Sequence, residues 1–525
     1  MKLLCPKCLG ETLVKHSVDK ARADGTRPQR WSCTNPKCND GKGYRTVNPL
    51  RDDDPRARSG RQEMRTTLGD SEIHVFTCAQ NATDLAPVFE SLKTYCKHRG
   101  AQLHVIPIRY HNPTSHWGMT AQAQDWWDVP DDLLFRARRK VHKHLYVLGD
   151  VSTQLTATRP TSGFETMTGP ESAIIGHPKM ELKMIPTPQQ KLPKAVMTTG
   201  ACTVPNYLPG KAGSKGKFHH TYGAVVVELA GDKFFFRQLN AQNDGSFIDL
   251  NEKFYPDGRV EPTGRVPAII FGDLHRKWVC PETLAATFTN SDSICKILQP
   301  RRYIWHDMMD GYSCNPHEVH DPFKKVARHQ AGCDNILDEI RQCAEFLDEH
   351  AGAMDIDNFI VASNHEDFLL RWMRATDWRE EPENAEFYLE TALEMLRKGK
   401  ITEAGYEGMH PFPYWMKQLV ETARVKYLGE DESFTVHQIE AGFHGHRGPN
   451  GARGSIGNYG KIGVKTIIGH THTPGIQDGV FQVGTFSRLV MDYTSGPSSW
   501  LNTHAVVYEN GKRVLLNIIG GDWRK

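Results

Sequence analysis

Val266-Pro267-Ala268-Ile269-Ile270-Phe271-Gly272-Asp273-Leu274-His275 is the stretch on which the reading of this chain turns. Its apolar run has the length of a buried strand, and it stops at Gly-Asp-x-His. There the glycine lets the chain turn, so that Asp273 and His275 leave the strand's carboxyl end together. One carboxylate and one imidazole do not hold a divalent metal by themselves, but the pattern recurs. Arg302-Tyr303-Ile304-Trp305 runs into His306-Asp307-Met308-Met309-Asp310, residues 358–362 into Ser363-Asn364-His365-Glu366, and residues 464–468 into Gly469-His470-Thr471-His472. His444-Gly445-His446 follows a mixed segment that begins at Phe434. Strand ends that finish in oxygen and imidazole ligands are the arrangement of a two-metal hydrolytic site.

At 525 residues the chain exceeds one ordinary core, and roughly three domains are expected. The formal charge of +2 neither demands nor excludes nucleic acid. The first 50 residues are distinct, with ten Lys and Arg against four Asp and Glu. Of 12 cysteines, four form two close pairs at the amino end and the rest are scattered. That usage fits a metal plus reduced thiols rather than a disulfide scaffold, and points to the cytoplasm. No apolar run approaches the ~18 residues of a membrane span, and no secretory signal is read at the start.

In chain order, Cys5, Cys8, Cys33 and Cys38 form two knuckles with the spacing of a tetrahedral zinc site, which replaces the core that so small a module lacks. The segment resembles zinc ribbons and Ogr/Delta-like fingers of bacterial and phage proteins. Lys15, Lys20, Arg22, Arg27 and Arg30 are its candidate phosphate contacts, with a structural knob for protein contact as the alternative. Residues 48–71 read as a linker. Residues 72–262 read as an accessory region: a strand at 73–77, a helix at 84–97, a strand at 103–108 and a third strand at 145–150 make a small α/β unit, and a β-rich part follows with a hairpin at 224–237. The Gly149-Asp150 pair is taken as a structural turn. Pro209 to His220 reads as a flexible basic loop, either a grip on a nucleic-acid backbone or a surface turn. His219 and His220 are taken as structural rather than metal-directed. Residues 263–525 carry the metal motifs, with a sheet-packing helix at 333–347 and a helical insertion at about 366–428. That insertion holds helices at 366–373, 383–397 and 414–425, and a closing hairpin turns at Asn510-Gly511.

Taken together, Gly272-Asp273-Leu274-His275, His306-Asp307-Met308-Met309-Asp310, Ser363-Asn364-His365-Glu366, His444-Gly445 and Gly469-His470-Thr471-His472 resemble, in order and spacing, the calcineurin-like metallophosphoesterases. The resemblance covers about the last half of the chain. It implies an α/β fold, a four-layer β-sandwich flanked by helices. It also implies that Asp273, His275 and His472 hold one metal and Asn364, His444 and His470 the other, with Asp307 bridging. A hydroxide between the ions would attack phosphorus, with His365 beside the leaving oxygen and Asp310 orienting a neighbouring imidazole. This chain departs from the pattern at His306 and Ser363, where the family has glycine. His444 is favoured over His446 only by the family's His-Gly pair.

Mixed oxygen and nitrogen ligands suit manganese, iron or zinc, with manganese preferred, beside one structural zinc. The fold does not choose the substrate. A basic ribbon and a Lys-Gly loop favour a polyanion, and the middle region resembles proteins of large lytic siphophages that degrade host DNA early in infection. The reading is therefore a metal-dependent DNase of phage or prophage origin. Its alternatives are a phosphomonoesterase or nucleotide phosphodiesterase and, third, a non-catalytic DNA-binding scaffold. DNA is the expected partner, no membrane is, and a homo-oligomer is left open, as is the choice between endonuclease and exonuclease.

Overall fold

The computed structural model describes residues 3–5, 13–18, 29–35, 38, 45–46, 50–51, 71–109, 126–188, 191–318, 321–353, 355–403, 405–491 and 494–525. Cys8, Lys20, Arg22, Arg27, the side chain of Arg30 and most of the expected linker lie outside them. Leu50–Arg51, read as linker, pairs antiparallel with Leu3–Leu4.

The chain folds as a mixed α/β protein whose two largest sheets carry the metal motifs. The first has six strands, in the order Val425–Leu428, Asp357–Val361, Arg302–Trp305, Ala268–Ile270, Asn502–Val507 and Arg513–Ile518. Its first four strands are mutually parallel, so their carboxyl ends open on the same edge. Alternation along each strand sorts the side chains to two faces. Ile269, Tyr303, Trp305 and Ile360 meet helices on one side, while Ile270, Ile304 and Val361 face the second sheet on the other. The principal covering helix is Ile336–Ala351. It starts where the Asn335 side chain accepts from the Asp338 N–H, and it buries Ile340, Cys343, Ala344 and Leu347 at helical spacing. Trp305, fully buried, stacks on Phe271 with ring centroids 4.2 Å apart and donates to Asn358 Oδ1 at 3.1 Å. Such a ring holds the strand that delivers Asp307, and its truncation to Ala would cost about 3–5 kcal/mol.

The second sheet has ten strands, and its composition cuts across the sequence order. Thr435–Val436, Ile439–Glu440, Thr466–Ile468, Val480–Gln482 and Gly475–Gln477 form one half. Leu182–Ile185, Lys194–Thr198, Ser172–Ile175, Leu145–Leu148 and Arg138–His142 continue it. The join is the antiparallel pair Leu182 with Ile476. Strands of the accessory region thus extend the sheet that carries His470 and His472. A four-stranded sheet packs into the same core, in the order Lys233–Asn240, Gly223–Ala230, Ile73–Gln80 and Gln102–Ile108. The helix Val88–Arg99 crosses between its two parallel strands.

Several local expectations are corrected. Leu145–Leu148 belongs to the ten-stranded sheet and not to the 73–108 unit. The basic segment after Pro209 is not a loop but the helix Lys211–His219. Its glycines are contact points: a Cβ at Gly213 would lie 1.8 Å from the Leu208 carbonyl oxygen, and one at Gly216 would lie 2.8 Å from the Tyr207 ring. Gly-rich composition here marks close packing rather than freedom. The helix expected at 414–425 spans Pro411–Leu419, and Val425–Leu428 returns to the six-stranded sheet as its edge. Among the described residues no helix is long and apolar enough to cross a membrane.

Candidate metal centre

Loops from the two large sheets meet over the ends of their strands. After the Ala268–Ile270 and Arg302–Trp305 strands the backbones stay paired, with Leu274 N–H donating to His306 O at 2.9 Å and His275 N–H to Asp307 O at 2.7 Å. Across the seam Asp273 N–H donates to Gly484 O at 3.1 Å, and within the loops of the ten-stranded sheet Gly469 N–H donates to His444 O at 2.7 Å. Gly272 does not make the turn expected of it. A Cβ there would lie 2.7 Å from the Thr485 backbone, so its role is close approach. The turning is done by the site residues themselves: His275, Asp307, His470 and His472 have φ of 45°, 44°, 76° and 58°. Left-handed backbone is costly for such residues, and its concentration here marks a functional site.

Asp273, His275, Asp307 and His472 are buried and bring one ligand atom each within 4.8 Å of the others. His275 Nε2 and His472 Nε2 face each other at 2.9 Å, and His472 Nε2 lies 3.4 Å from Asp273 Oδ2. Asp307 Oδ2 stands 3.5 Å from His275 Nε2 on one side and 3.2 Å from His444 Nε2 on the other. The second contact lacks hydrogen-bond alignment. His470 adjoins His444, with ring centroids 5.3 Å apart. Asn364 Oδ1 is buried without a hydrogen-bond partner. His446, the other candidate, turns to Glu430 Oε1 at 3.2 Å, beside Asp367.

The site residues fit a pair of divalent cations. Both carboxylate oxygens of Asp273 and of Asp307, His306 Nε2, His444 Nε2 and His472 Nδ1 are buried with no aligned hydrogen bond, a state that costs several kcal/mol unless a cation supplies the partner. Burial, reinforced by the Asp307 charge, pushes the Asp273 carboxyl well above its usual range. Asp307 is driven the same way by burial, yet the imidazoles of His444 and His365 hold it well below. Burial pushes His472 far down and His470 down to about 4, and neighbouring imidazoles add to it. Metal ligation needs neutral imidazoles and ionised carboxylates; His470, His472 and Asp307 are held in those states, whereas Asp273 keeps its proton until a cation's charge offsets its burial. Gly469 shows how tightly the cradle is built, since a Cβ there would lie 2.2 Å from Asp273 Oδ1.

Groups around the cluster aim it. Asp310 accepts from His275 Nδ1–H and from Trp278 Nε1–H, both at 3.1 Å, which leaves the lone pair of His275 on Nε2. The Asp310 carbonyl accepts from His365 Nδ1–H at 2.6 Å. Burial works against a charged His365, but the carboxylates of Asp307 and Asp310 outweigh it and raise its pKa above that of an ordinary imidazole. Two contributors, Glu366 and Trp500, escaped the sequence reading, whereas His306 is marked there as a departure from the pattern that could crowd the turn or add a ligand. Glu366 accepts from Met308 N–H at 2.7 Å and so fixes the loop after Asp307. His306 sets its Nδ1 3.2 Å from His444 Nδ1, and Trp500 lies against the His472 ring with centroids 4.2 Å apart. Glu366 and His306 stood inside the motifs, but nothing local marked Trp500.

At the amino end, Cys5, Cys33 and Cys38 are buried with their sulfurs within 4.8 Å of one another, and Cys5 Sγ lies 3.8 Å from Cys38 Sγ. Tetrahedral bonds of ~2.3 Å separate sulfurs by about that distance, so this cluster too can hold a metal ion. His219 and His220 take no part in either cluster, and His220 is held by Tyr207 OH at 3.1 Å and Thr203 O at 3.0 Å.

The chain is 32% identical over 462 residues to Protein A1 of Escherichia phage T5, covering 85% of this chain and 82% of that protein. No family model and no solved structure matches it.

Proposed function

The chain belongs to the family of Protein A1 of Escherichia phage T5, and from that premise we propose that it is a two-metal phosphodiesterase acting on DNA in the cytoplasm of the infected cell. The observation that carries the reading is the convergence of buried, unpartnered carboxylate and imidazole atoms from loops of both large sheets. In this reading Asp273, His275 and His472 hold one cation, Asn364, His444 and His470 the other, and Asp307 lies between. The six- and ten-stranded sheets, packed face to face with helices over the outer face of the first, support a metallophosphoesterase sandwich.

Bound there, a pair of divalent cations, manganese by preference, supplies Lewis acidity toward a phosphoryl oxygen and lowers the pKa of water. The chain's own residues do the rest. Asp310 keeps His275 in one tautomer and one orientation. The backbone carbonyl of Asp310 fixes the His365 proton on Nδ1, so that His365 Nε2 is the atom that carries a second proton to a leaving oxygen. Its raised pKa keeps that proton available near neutrality. An open cleft of about 670 Å³, lined by Arg453, Ser455, His470 and Thr471, gives the phosphate a cationic wall. Such a cleft, together with the cysteine-metal module and its exposed Lys15, suits a polymeric phosphodiester more than a small ester.

The test is cleavage of linear and closed-circular duplex DNA with manganese, beside Asp307→Ala and His365→Ala. Loss of both DNA forms in the parent, abolished by Asp307→Ala and slowed about 10²–10⁴-fold by His365→Ala, is the expected result and makes the enzyme an endonuclease. Hydrolysis of a chromogenic phosphate monoester with neither DNA form cut would replace the DNase with a phosphatase. DNA binding with no metal-dependent turnover would leave a scaffold.

A further inference from the structure

Beside the metal-facing cleft lies a second cavity, of about 330 Å³, within the ~300–1,000 Å³ of small-molecule sites. It forms where the accessory strands join the catalytic sheet. Leu182 and Met184 come from one side, Ile456, Pro474 and Gln477 from the other, and Arg159 stands at its edge. Thr473, next to His472, lines it directly, and Gln482 stands between it and the outer cleft. Gln482 Nε2 donates to the Thr473 carbonyl at 2.6 Å and also to Thr471 Oγ1, so its amide is shared between the inner cavity and the outer cleft.

The chemistry of the walls excludes an anion hole. Arg159 is already paired with Asp478 at 2.7 Å, Lys183 is paired with Glu165, and Glu181 adds a buried carboxylate. What remains is a pair of apolar walls closed by an amide and a guanidinium held in place. The Gln477 amide meets only donors on one side, and oriented with its oxygen there it accepts from Arg159 Nη2 at 2.7 Å. Apolar faces with polar groups at one edge match a nucleobase, which is flat and apolar on its faces and carries donors and acceptors on its rim.

We propose that this cavity receives one unpaired nucleobase of the substrate strand, while the phosphate of that nucleotide lies in the outer cleft beside His470 and Arg453. The inference rests on the phosphodiesterase reading and deepens it. It makes the substrate a nucleic-acid strand, single or locally opened, because a base in the cavity has left its stack. It also gives the accessory strands a function, as the wall that reads the base.

Two arms test it. In the first, saturation-transfer NMR is run on the full chain, with no chelator and no manganese added, in the presence of thymidine or thymidine 5′-monophosphate. The base protons of the nucleoside and the nucleotide receive saturation in the parent and lose it in Ile456→Trp and in Met184→Trp, which fill the cavity from opposite walls. In the second, cleavage of single-stranded DNA falls about tenfold in these variants, while hydrolysis of bis-p-nitrophenyl phosphate, which has no base, stays within about twofold. Base protons silent in the parent, or equally saturated in a folded cavity-filled variant, overturn the proposal. If one variant fails to fold, the other decides. A parent that hydrolyses no ester with any metal sinks the phosphodiesterase reading and leaves the NMR arm to judge the cavity by itself.

Discussion

Asp310→Asn should weaken metal binding through a tautomer rather than through a lost ligand. Asp310 receives two N–H groups, from His275 Nδ1 and from the Trp278 indole, each at 3.1 Å. Asparagine offers one oxygen and one NH₂, so one of the two donors must meet a donor. The indole cannot change, because its nitrogen only donates. The imidazole can, and it will take the NH₂ on Nδ1 and move its own proton to Nε2. That atom lies 2.9 Å from His472 Nε2 and 3.5 Å from Asp307 Oδ2, where a cation needs a lone pair. Substitutions of this outer kind weaken metal binding by about 10–100-fold, or roughly 1.4–2.7 kcal/mol. Calorimetric titration of manganese into metal-stripped protein reads the effect directly. The argument makes a second demand. Trp278→Phe removes the competing donor, so the amide oxygen returns to His275, and the Asp310→Asn/Trp278→Phe double variant must bind manganese more tightly than Asp310→Asn alone. Parent-like affinity in the single variant, or no recovery in the double, would refute it.

Other outcomes follow from the same structure. Gly469→Ala places a Cβ 2.2 Å from Asp273 Oδ1, and bound manganese, measured by electron paramagnetic resonance, should fall at least about tenfold while the protein stays folded. Arg237 is buried between Asp249, at 2.6 Å, and Glu228, at 2.8 Å. Arg237→Met leaves buried Asp249 with only the Tyr95 hydroxyl at 2.9 Å, while Glu228 keeps Arg99 at 3.2 Å, so urea unfolding should show about 3 kcal/mol of lost stability. His177 accepts from Lys179 N–H at 2.9 Å, and burial lowers its pKa to about 4. The unfolded chain therefore binds this proton first as pH falls from about 6.5. Stability from this group is full above that pH and is lost between about 6.5 and 4, to the extent of about 3 kcal/mol. The slope of unfolding free energy against pH in this window should flatten in His177→Gln, and an unchanged slope would remove His177 as the cause.

Much of the fold and of the ligand inventory was legible in the order of residues. Strands such as Asp357–Val361 and Arg302–Trp305 announce themselves because a strand's apolar run and the polar residues that end it are covalent neighbours. The helix Ile336–Ala351 does so because its buried residues repeat at helical spacing. The same locality made Asp273, His275, Asp307, Asn364, His470 and His472 visible, each at the end of its own run. It misled at Lys211–His219, where glycines that serve contact read as glycines that serve freedom.

What only the tertiary structure decided depends on residues far apart in the chain. The pairing of Leu182 with Ile476 fuses accessory strands to the sheet that carries His470 and His472 and creates the cavity beside their loop. The turn of His446 toward Glu430 and of His444 toward Asp307 separates two histidines that the sequence leaves alike. The hydrogen bond from His275 to Asp310 chooses which nitrogen faces the other candidate ligands. Residue type fixes what a side chain can donate or accept, whereas its direction and its protonation are set by packing and field, which exist only once distant segments have met.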